Sequence, residues 1–458
     1  MDRRAFLRAT TLAATAALPS GEGRGQQTAA PGETTAADRV LVVNEASNTV
    51  AVIDPRRNAV ESTINLTSFD EDPRPAYRYV TAGVPPTAAE MIDKPLYHGC
   101  IGAHGAAASA DQTLVALTGR GSSNLYLIDT VHPRVLGNRP NPFGSATTNA
   151  ECISSGVLVG RDPGAPAFTR NGREVWVPLR GEDRIAIVDT GRALKEVAGT
   201  PSGAVRALLQ TVHGPSHVIF SGDGTLAYIV SEKVARVDVI RVNADTNGYA
   251  RPQRAAMLDI SQLDSTGCTS FEQLTPDGTQ LWLAHALGDS LSVLSAHMPF
   301  APVGRITLGE MARPHAVAFV ENARGRAAYV SYGRVSASAD GGAASEIAIV
   351  ERGASAEDRK VAKTFPSGGR KARGLCVNPA NTLLYVAHEQ DEAAGNPYAG
   401  QSVCSAFDVS DPYSPRMIAQ IPLGALLLPS GELPNTKSTS IAYVRPRSGI
   451  RLGWAGAG

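Results

Sequence analysis

Short runs of alternating apolar and polar residues recur from about residue 38 to residue 446. The clearest unit reads Phe220-Ser221-Gly222-Asp223-Gly224-Thr225-Leu226-Ala227-Tyr228-Ile229-Val230. It returns as Leu274-Thr275-Pro276-Asp277-Gly278-Thr279-Gln280-Leu281-Trp282-Leu283-Ala284. A two-residue period rich in β-branched and aromatic residues predicts strands with two distinct faces. The Asp-Gly between the runs suits a tight hairpin turn, because both residues tolerate a positive φ. A further alternating run ending in Asp follows in several copies, among them Thr49–Asp54, Leu125–Asp129 and Arg184–Asp189.

Aligning these units puts Leu41, Ala116, Trp176, Tyr228, Trp282, Tyr329 and Tyr385 in one column, 47 to 75 residues apart. Seven units of short antiparallel strands at this spacing predict an all-β, seven-bladed β-propeller. The first unit begins at its second strand. Its inner strand is expected from Ser438–Val444, so that N- and C-terminal strands share one blade and the ring closes without a free edge. Residues 38–446 are then one propeller and 447–458 a C-terminal tail, where 458 residues would otherwise suggest about three domains.

Seven plain blades of about 45 residues need roughly 315 residues. The excess falls in insertions near 68–103, 136–163, 333–345 and 389–402. In a four-stranded blade, the start of the inner strand, the second-to-third turn and the link to the next blade share one face. All four insertions belong to that face, so it is expected to be built up and the opposite face plain. Loops on a rigid scaffold are where binding residues gather.

Three segments resemble the YVTN family of β-propeller repeats: Tyr228-Ile229-Val230-Ser231, Tyr329-Val330-Ser331-Tyr332 and Tyr385-Val386-Ala387-His388. The resemblance covers about residues 38–446. It implies the fold and leaves the function open among lactonase-like proteins, surface binding proteins and the propeller parts of copper enzymes and cytochrome-containing reductases.

The chain opens Met1-Asp2-Arg3-Arg4-Ala5-Phe6-Leu7-Arg8, followed by an Ala/Thr/Leu stretch. A basic head before a modest apolar run predicts an export signal over 1–30. Paired Arg3-Arg4 resembles the twin-arginine type, which implies a periplasmic or secreted protein. No stretch reaches about 18 consecutive apolar residues, so no transmembrane segment is expected. Lys+Arg and Asp+Glu both number 43. Without residues 1–30 the balance is 39 to 41, which argues against a nucleic-acid partner. The absence of a Cys-x-x-Cys-His motif argues against covalent c-type haem.

Candidate chemistry concentrates in two columns. The starts of the inner strands give His104, Gly164, Ser216, Ser270, His315 and Arg373, with Ser440 as the expected seventh. The ends of the second strands give Asn44, Gly119, Leu179, Ser231, His285, Tyr332 and His388. Both columns are expected to face the rim of the central channel. The run from His98 through Cys100 to His104 has spacing that can wrap a copper or zinc ion, with His315, His285 or His388 completing the site. The same residues also suit a small-molecule pocket without metal, or polar packing.

Glu272, Glu389 and Tyr332 are the catalytic candidates, since a rim carboxylate can act as a general base. Arg373, with His217 and Ser216 nearby, can clamp an anionic substrate through its guanidinium fork. Cys100 and Cys152 are a plausible disulfide pair, whereas Cys376 and Cys404 fall on non-adjacent strands of one blade. The reading favoured by the His/Cys concentration is an exported, copper-dependent oxidoreductase acting on a small molecule, with a periplasmic protein partner. The alternatives are a metal-independent, lactonase-like hydrolase and a non-catalytic binding or assembly propeller.

Overall fold

A computed structural model describes residues 34–66, 101–136, 156–198, 200, 202–337, 343–352, 359–428 and 431–446. The predicted alternation emerges as antiparallel blades. Blade 1 contains β1 (Arg39–Asn44), β2 (Thr49–Asp54) and β3 (Ala59–Asn65). Blade 2 contains β4 (Ala103–Ala108), β5 (Leu114–Gly119), β6 (Asn124–Asp129) and β7 (Arg134–Val135), with β8 (Val157–Leu158) also paired to β6. Blade 3 contains β9 (Ala167–Phe168), β10 (Glu174–Leu179), β11 (Arg184–Asp189) and β12 (Val205–Gln210). Blade 4 contains β13 (Pro215–Phe220), β14 (Leu226–Ser231), β15 (Arg236–Arg241) and β16 (Gln253–Asp259).

Blade 5 contains β17 (Thr269–Leu274), β18 (Gln280–His285), β19 (Ser290–Ser295) and β20 (Pro302–Thr307). Blade 6 contains β21 (Pro314–Asn322), β22 (Gly325–Ala337), β23 (Ala343–Glu351) and β24 (Val361–Pro366). Blade 7 contains β25 (Arg370–Val377), β26 (Leu383–Gln390), β27 (Val403–Asp408) and β28 (Arg416–Pro422). After a hairpin of β29 (Ala425–Leu428) and β30 (Gly431–Pro434), β31 (Ser438–Val444) returns to blade 1 and pairs with β1 as its inner strand. The ring is a seven-bladed β-propeller closed by strands from both ends of the chain.

The aligned large residues explain why seven sheets pack radially. Leu41, Ala116, Trp176, Tyr228, Trp282, Tyr329 and Tyr385 are all buried, and each belongs to a different one of seven apolar clusters. Each cluster joins one blade to the next. Trp176 meets Phe220 of blade 4 edge-to-face at 5.2 Å, and Trp282 meets Phe319 of blade 6 at 5.3 Å. The tyrosines add a polar tie, because a buried hydroxyl needs an acceptor. Tyr329 Oη donates to Pro412 O of blade 7 at 2.8 Å, and Tyr228 Oη donates to Ala296 O of blade 5 at 2.5 Å.

A second regularity positions the channel mouth. One pairing recurs in every blade at the top of the inner strand: Ser438–Asn44, Ala103–Gly119, Pro163–Leu179, Pro215–Ser231, Thr269–His285, Pro314–Tyr332 and Ala372–His388. The register then shifts by one residue in all seven, as a bulge on the inner strand. A bulge re-aims the side chains beside it.

The opposite face is less plain than expected. The link between the third and fourth strands of blade 3 folds as α1 (Thr190–Val197), capped by the Asp189 side chain on Arg192 N. A groove of about 520 Å³ between blades 4 and 5 is lined by Asp223, Arg241, His297, Met298 and Phe300 among others. Residues 1–30, most of the insertions near 68–103 and 136–163, the tail 447–458 and the Cys100–Cys152 pair lie outside the described residues. Cys268, Cys376 and Cys404 are free thiols.

Candidate functional site

The second column of candidate residues does not face the channel. Asn44, Gly119, Leu179, Ser231, His285, Tyr332 and His388 are the outer members of the recurring pairs. The six that carry side chains are buried. One position along a strand reverses the face, and the side chains at the mouth follow one residue later: Glu45, Arg120, Arg180, Glu232, Ala286, Gly333 and Glu389. On the inner strands the bulge presents Thr439, His104, Gly164, Ser216, Ser270, His315 and Arg373. The seventh member is thus Thr439 in place of Ser440. His217, the second bulge residue of blade 4, joins them. The inner strands approach closely here. A Cβ on Gly164 would lie 2.1 Å from Ser216 O, and one on Gly105 would lie 2.6 Å from Ala165 Cα, so only glycine fits.

Charge pairs run around this mouth. Glu45 Oε2 meets His104 Nδ1 at 2.9 Å, and Lys437 Nζ donates to Glu45 at 2.8 Å. Arg180 donates to Asp162 at 2.6 Å and to Glu232 at 2.5 Å. Arg120 lies 3.4 Å from Asp162 and 3.9 Å from Glu232. Its Nε is buried without a hydrogen-bond partner. Glu389 accepts from Arg373 at 2.5 Å and from Lys371 at 3.0 Å. Burial alone would raise both Glu45 and Glu389. The His104 hydrogen bond and the Lys437 cation beside Glu45, and the Arg373 and Lys371 cations beside Glu389, outweigh it and hold both carboxyl groups at about 2.

The three mouth histidines are kept neutral. Burial pushes His217 down to about 3, and Arg120, Arg373 and His104 add to the effect while Glu232 opposes it. Groups from blades 2, 4 and 7 thus act on one ring. Burial likewise lowers His315 to about 3, reinforced by Arg373 and Lys371, and lowers His104. His217 Nδ1 is buried without a hydrogen-bond partner, and its ring stands edge-to-face with Phe271 at 5.6 Å. The mouth therefore places unprotonated imidazoles among guanidinium groups, and the guanidinium groups can stabilise a developing anion there.

The remaining candidates sit elsewhere. His285 Nδ1 lies 3.1 Å from Asp264 and its Nε2 lies 2.8 Å from Ser292 Oγ. This Ser–His–Asp chain has the order of a nucleophilic triad, but all three side chains are buried, so it ties strands together. His388 bonds Val403 O and Ser367 Oγ through its two ring nitrogens. Neither His285 nor His388 has a nitrogen turned to the channel. Tyr332 donates to Leu308 O at 2.8 Å and is buried, which removes it from any reacting group.

Ser216 is buried and its hydroxyl lies 3.5 Å from Val230 O and Thr269 O, joining strands of blades 4 and 5. Glu272 pairs with Leu283 on the blade 5 surface that meets blade 4. It is buried with both carboxyl oxygens unpartnered, and burial raises its pKa well above the usual range. His98 and Cys100 lie outside the described residues. Among the described residues, no three His, Cys, Asp or Glu side chains are grouped to hold a metal ion.

Sequence reading missed Glu45, Arg120, Arg180 and Glu232. Their signal was present, since charged residues occupy the same position after the second strand in five of the seven blades.

A family model described as "Lactonase, 7-bladed beta-propeller" matches residues 165–299, from the inner strand of blade 3 through most of blade 5. A 6-phosphogluconolactonase of Sodalis glossinidius is 32% identical over 112 residues, 24% of this chain and 31% of that protein. One of Pectobacterium atrosepticum is 29% identical over 121 residues, 26% of this chain and 35% of that protein. An uncharacterized Lactococcus lactis protein is 25% identical over 170 residues, 37% of this chain and 43% of its own. These matches span less than half the length of the curated relatives.

Among solved structures, a candidate 6-phosphogluconolactonase of Bacteroides uniformis superposes with a TM-score of 0.55 at 14% identity, over 89% of this chain and 100% of its own. Hydrazine synthase of Kuenenia stuttgartiensis superposes with a TM-score of 0.54 at 15% identity, over 77% and 98%. These two likenesses concern the fold. The expectation of a copper-dependent oxidoreductase is corrected here: the family match and the 6-phosphogluconolactonase relatives lie with lactonases.

Proposed function

We propose that the protein is a lactonase-like hydrolase whose own side chains, without a metal, open a small lactone at the channel mouth. The observation that carries this reading is His217, a neutral imidazole with an unpartnered buried Nδ1 under the influence of Arg120 and Arg373. The lactonase family match supports it, since residues 165–299 include Arg180, His217 and Glu232. His217 takes a proton from water as the water oxygen attacks the lactone carbonyl. Arg120 and Arg373 face the oxyanion that forms, and Glu232 balances the imidazolium. The ring C–O bond then breaks, and the departing alkoxide takes the proton from His217. The product is a hydroxy acid whose carboxylate pairs with the guanidinium groups.

The arrangement suits a substrate whose product is anionic, which the arginines hold through paired hydrogen bonds. We also read residues 1–30 as an export segment, which places the reaction outside the cytoplasm. The test is proton release from γ-butyrolactone and glucono-δ-lactone in a pH-stat, before and after dialysis against EDTA. Equal turnover in both samples is expected. Turnover that disappears with the chelator and returns with a metal ion overturns the metal-independent reading.

A further inference from the structure

The charged ring is interrupted on one side. In the position after the second strand, blades 1 to 4 and 7 carry Glu45, Arg120, Arg180, Glu232 and Glu389, while blades 5 and 6 carry Ala286 and Gly333. At the next residue the seven turns carry Ala46, Gly121, Gly181, Lys233, Leu287, Arg334 and Gln390, so blade 5 alone has a large apolar side chain. The second bulge position reads Ser440, Gly105, Ala165, His217, Phe271, Ala316 and Gly374, and blade 5 again has the one large apolar residue. Phe271 is half-buried and touches the His217 ring.

Leu287 is 68% exposed, and Met311, in the link from blade 5 to blade 6, is 48% exposed. Both are large apolar groups left in water beside a polar mouth. Asp289 holds the two segments together by accepting from Met311 N at 2.8 Å and Arg313 N at 2.7 Å. Its charge is thereby turned to the backbone. Asp289, Met311 and Arg313 all adopt left-handed φ values of 47°, 58° and 47°. Such a conformation is unfavourable for Met and Arg.

We infer that the substrate carries an apolar substituent that leaves the charged mouth over blade 5 and packs on Phe271, Leu287 and Met311. The inference rests on the proposed lactonase reading and specifies its substrate class as alkyl-substituted lactones. Phe271 beside His217 places the apolar seat next to the group that takes the proton. The charged blades hold the polar ring, and the blade 5 turn, with Ala286 and Leu287, is the one that presents no charged side chain at either position to an alkyl chain leaving over it.

The test compares γ-butyrolactone, γ-hexalactone, γ-octalactone and γ-decalactone by pH-stat. Each methylene that reaches the seat is expected to raise kcat/KM by about fourfold, from the transfer of apolar area out of water. The Leu287→Ser, Met311→Ser double variant is expected to flatten the slope against chain length. Both positions are largely exposed, so folding is not at risk. A wild-type enzyme that opens these lactones with no dependence on chain length overturns the inference and leaves the lactonase reading standing. If none is opened, the lactonase reading fails, and calorimetric titration with the corresponding 4-hydroxyalkanoates decides the apolar seat alone. Affinity rising with chain length supports it, and a flat series or no binding overturns it.

Discussion

His217 and His285 differ by one step of strand register, and their chemistry follows from it. His217 lies on a bulge, keeps Nδ1 unpartnered and faces charges from other blades. His285 lies in a recurring pair, where Asp264, Thr269 and Ser292 occupy its ring nitrogens. Burial lowers its pKa to about 4, so it stays neutral and serves as a hydrogen-bonding brace. A Ser292→Ala variant is therefore expected to lose stability by about 1–3 kcal/mol, because a buried imidazole nitrogen loses its partner. It is expected to keep the lactone turnover proposed for the channel mouth. Urea denaturation and lactone turnover of the one variant check both halves. Loss of turnover with unchanged stability would assign the buried chain to catalysis.

The turns after the second strands show how an element carries the site. Their fourth residues Asn48, Asp183 and Asp289 adopt left-handed φ values of 50°, 57° and 47°, which short polar side chains tolerate best. Each side chain then accepts from backbone amides that lead into the next blade. Asn48 holds Gly102 at 2.7 Å, Asp183 holds Gly214 at 2.8 Å, and Asp289 holds Met311 and Arg313. The turn of one blade thus sets the start of the next inner strand, and with it His104, His217 or His315. An Asp289→Ala variant is expected to cost about 1 kcal/mol through the loss of two exposed backbone hydrogen bonds, read as a shift in the urea midpoint. An unchanged midpoint would mean that water replaces the carboxylate at no cost.

The strands were legible in the sequence because their period of two is long-range and repeated. The bulges were not, because one inserted residue leaves the composition of a strand unchanged while reversing every side chain beyond it. For that reason Arg373, Glu389, His104 and His315 were identified as mouth residues, whereas Arg120 and Glu232 were passed over for their buried neighbours Gly119 and Ser231.

Over the whole molecule, closure and neutrality of buried groups govern stability. Tyr443 donates to Asp38 at 2.6 Å, and Arg445 donates to Asp38 at 2.7 Å, which fastens the end of β31 beside the start of β1. The shared blade was legible because the first repeat lacked an inner strand and the last strand had no blade of its own. Burial lowers the pKa of His104, His217, His285, His315 and His388 in the folded protein. The unfolded chain takes up protons on these groups near pH 6.5, while the folded protein does so only at lower pH. Stability therefore falls as pH drops below about 6.5.

Glu45 and Glu389, held at about 2, act in a lower window. Their contribution is present above the unfolded carboxyl pKa of about 4.3 and is lost as pH falls through the folded value. Urea midpoints are expected to decrease between pH 7.5 and 5.5 with an unchanged m-value. A flat midpoint over that interval would show that the histidines titrate alike in both states.

The central claim is that hydrolysis takes place at the bulge-borne mouth, with His217 receiving the proton. The most direct measurement is kcat/KM for lactone opening by a folded His217→Gln variant beside the wild type. A loss of about 100-fold or more, the ordinary range for removing a general base, with an unchanged melting temperature is the predicted result. Turnover equal to wild type in the folded variant would contradict the claim.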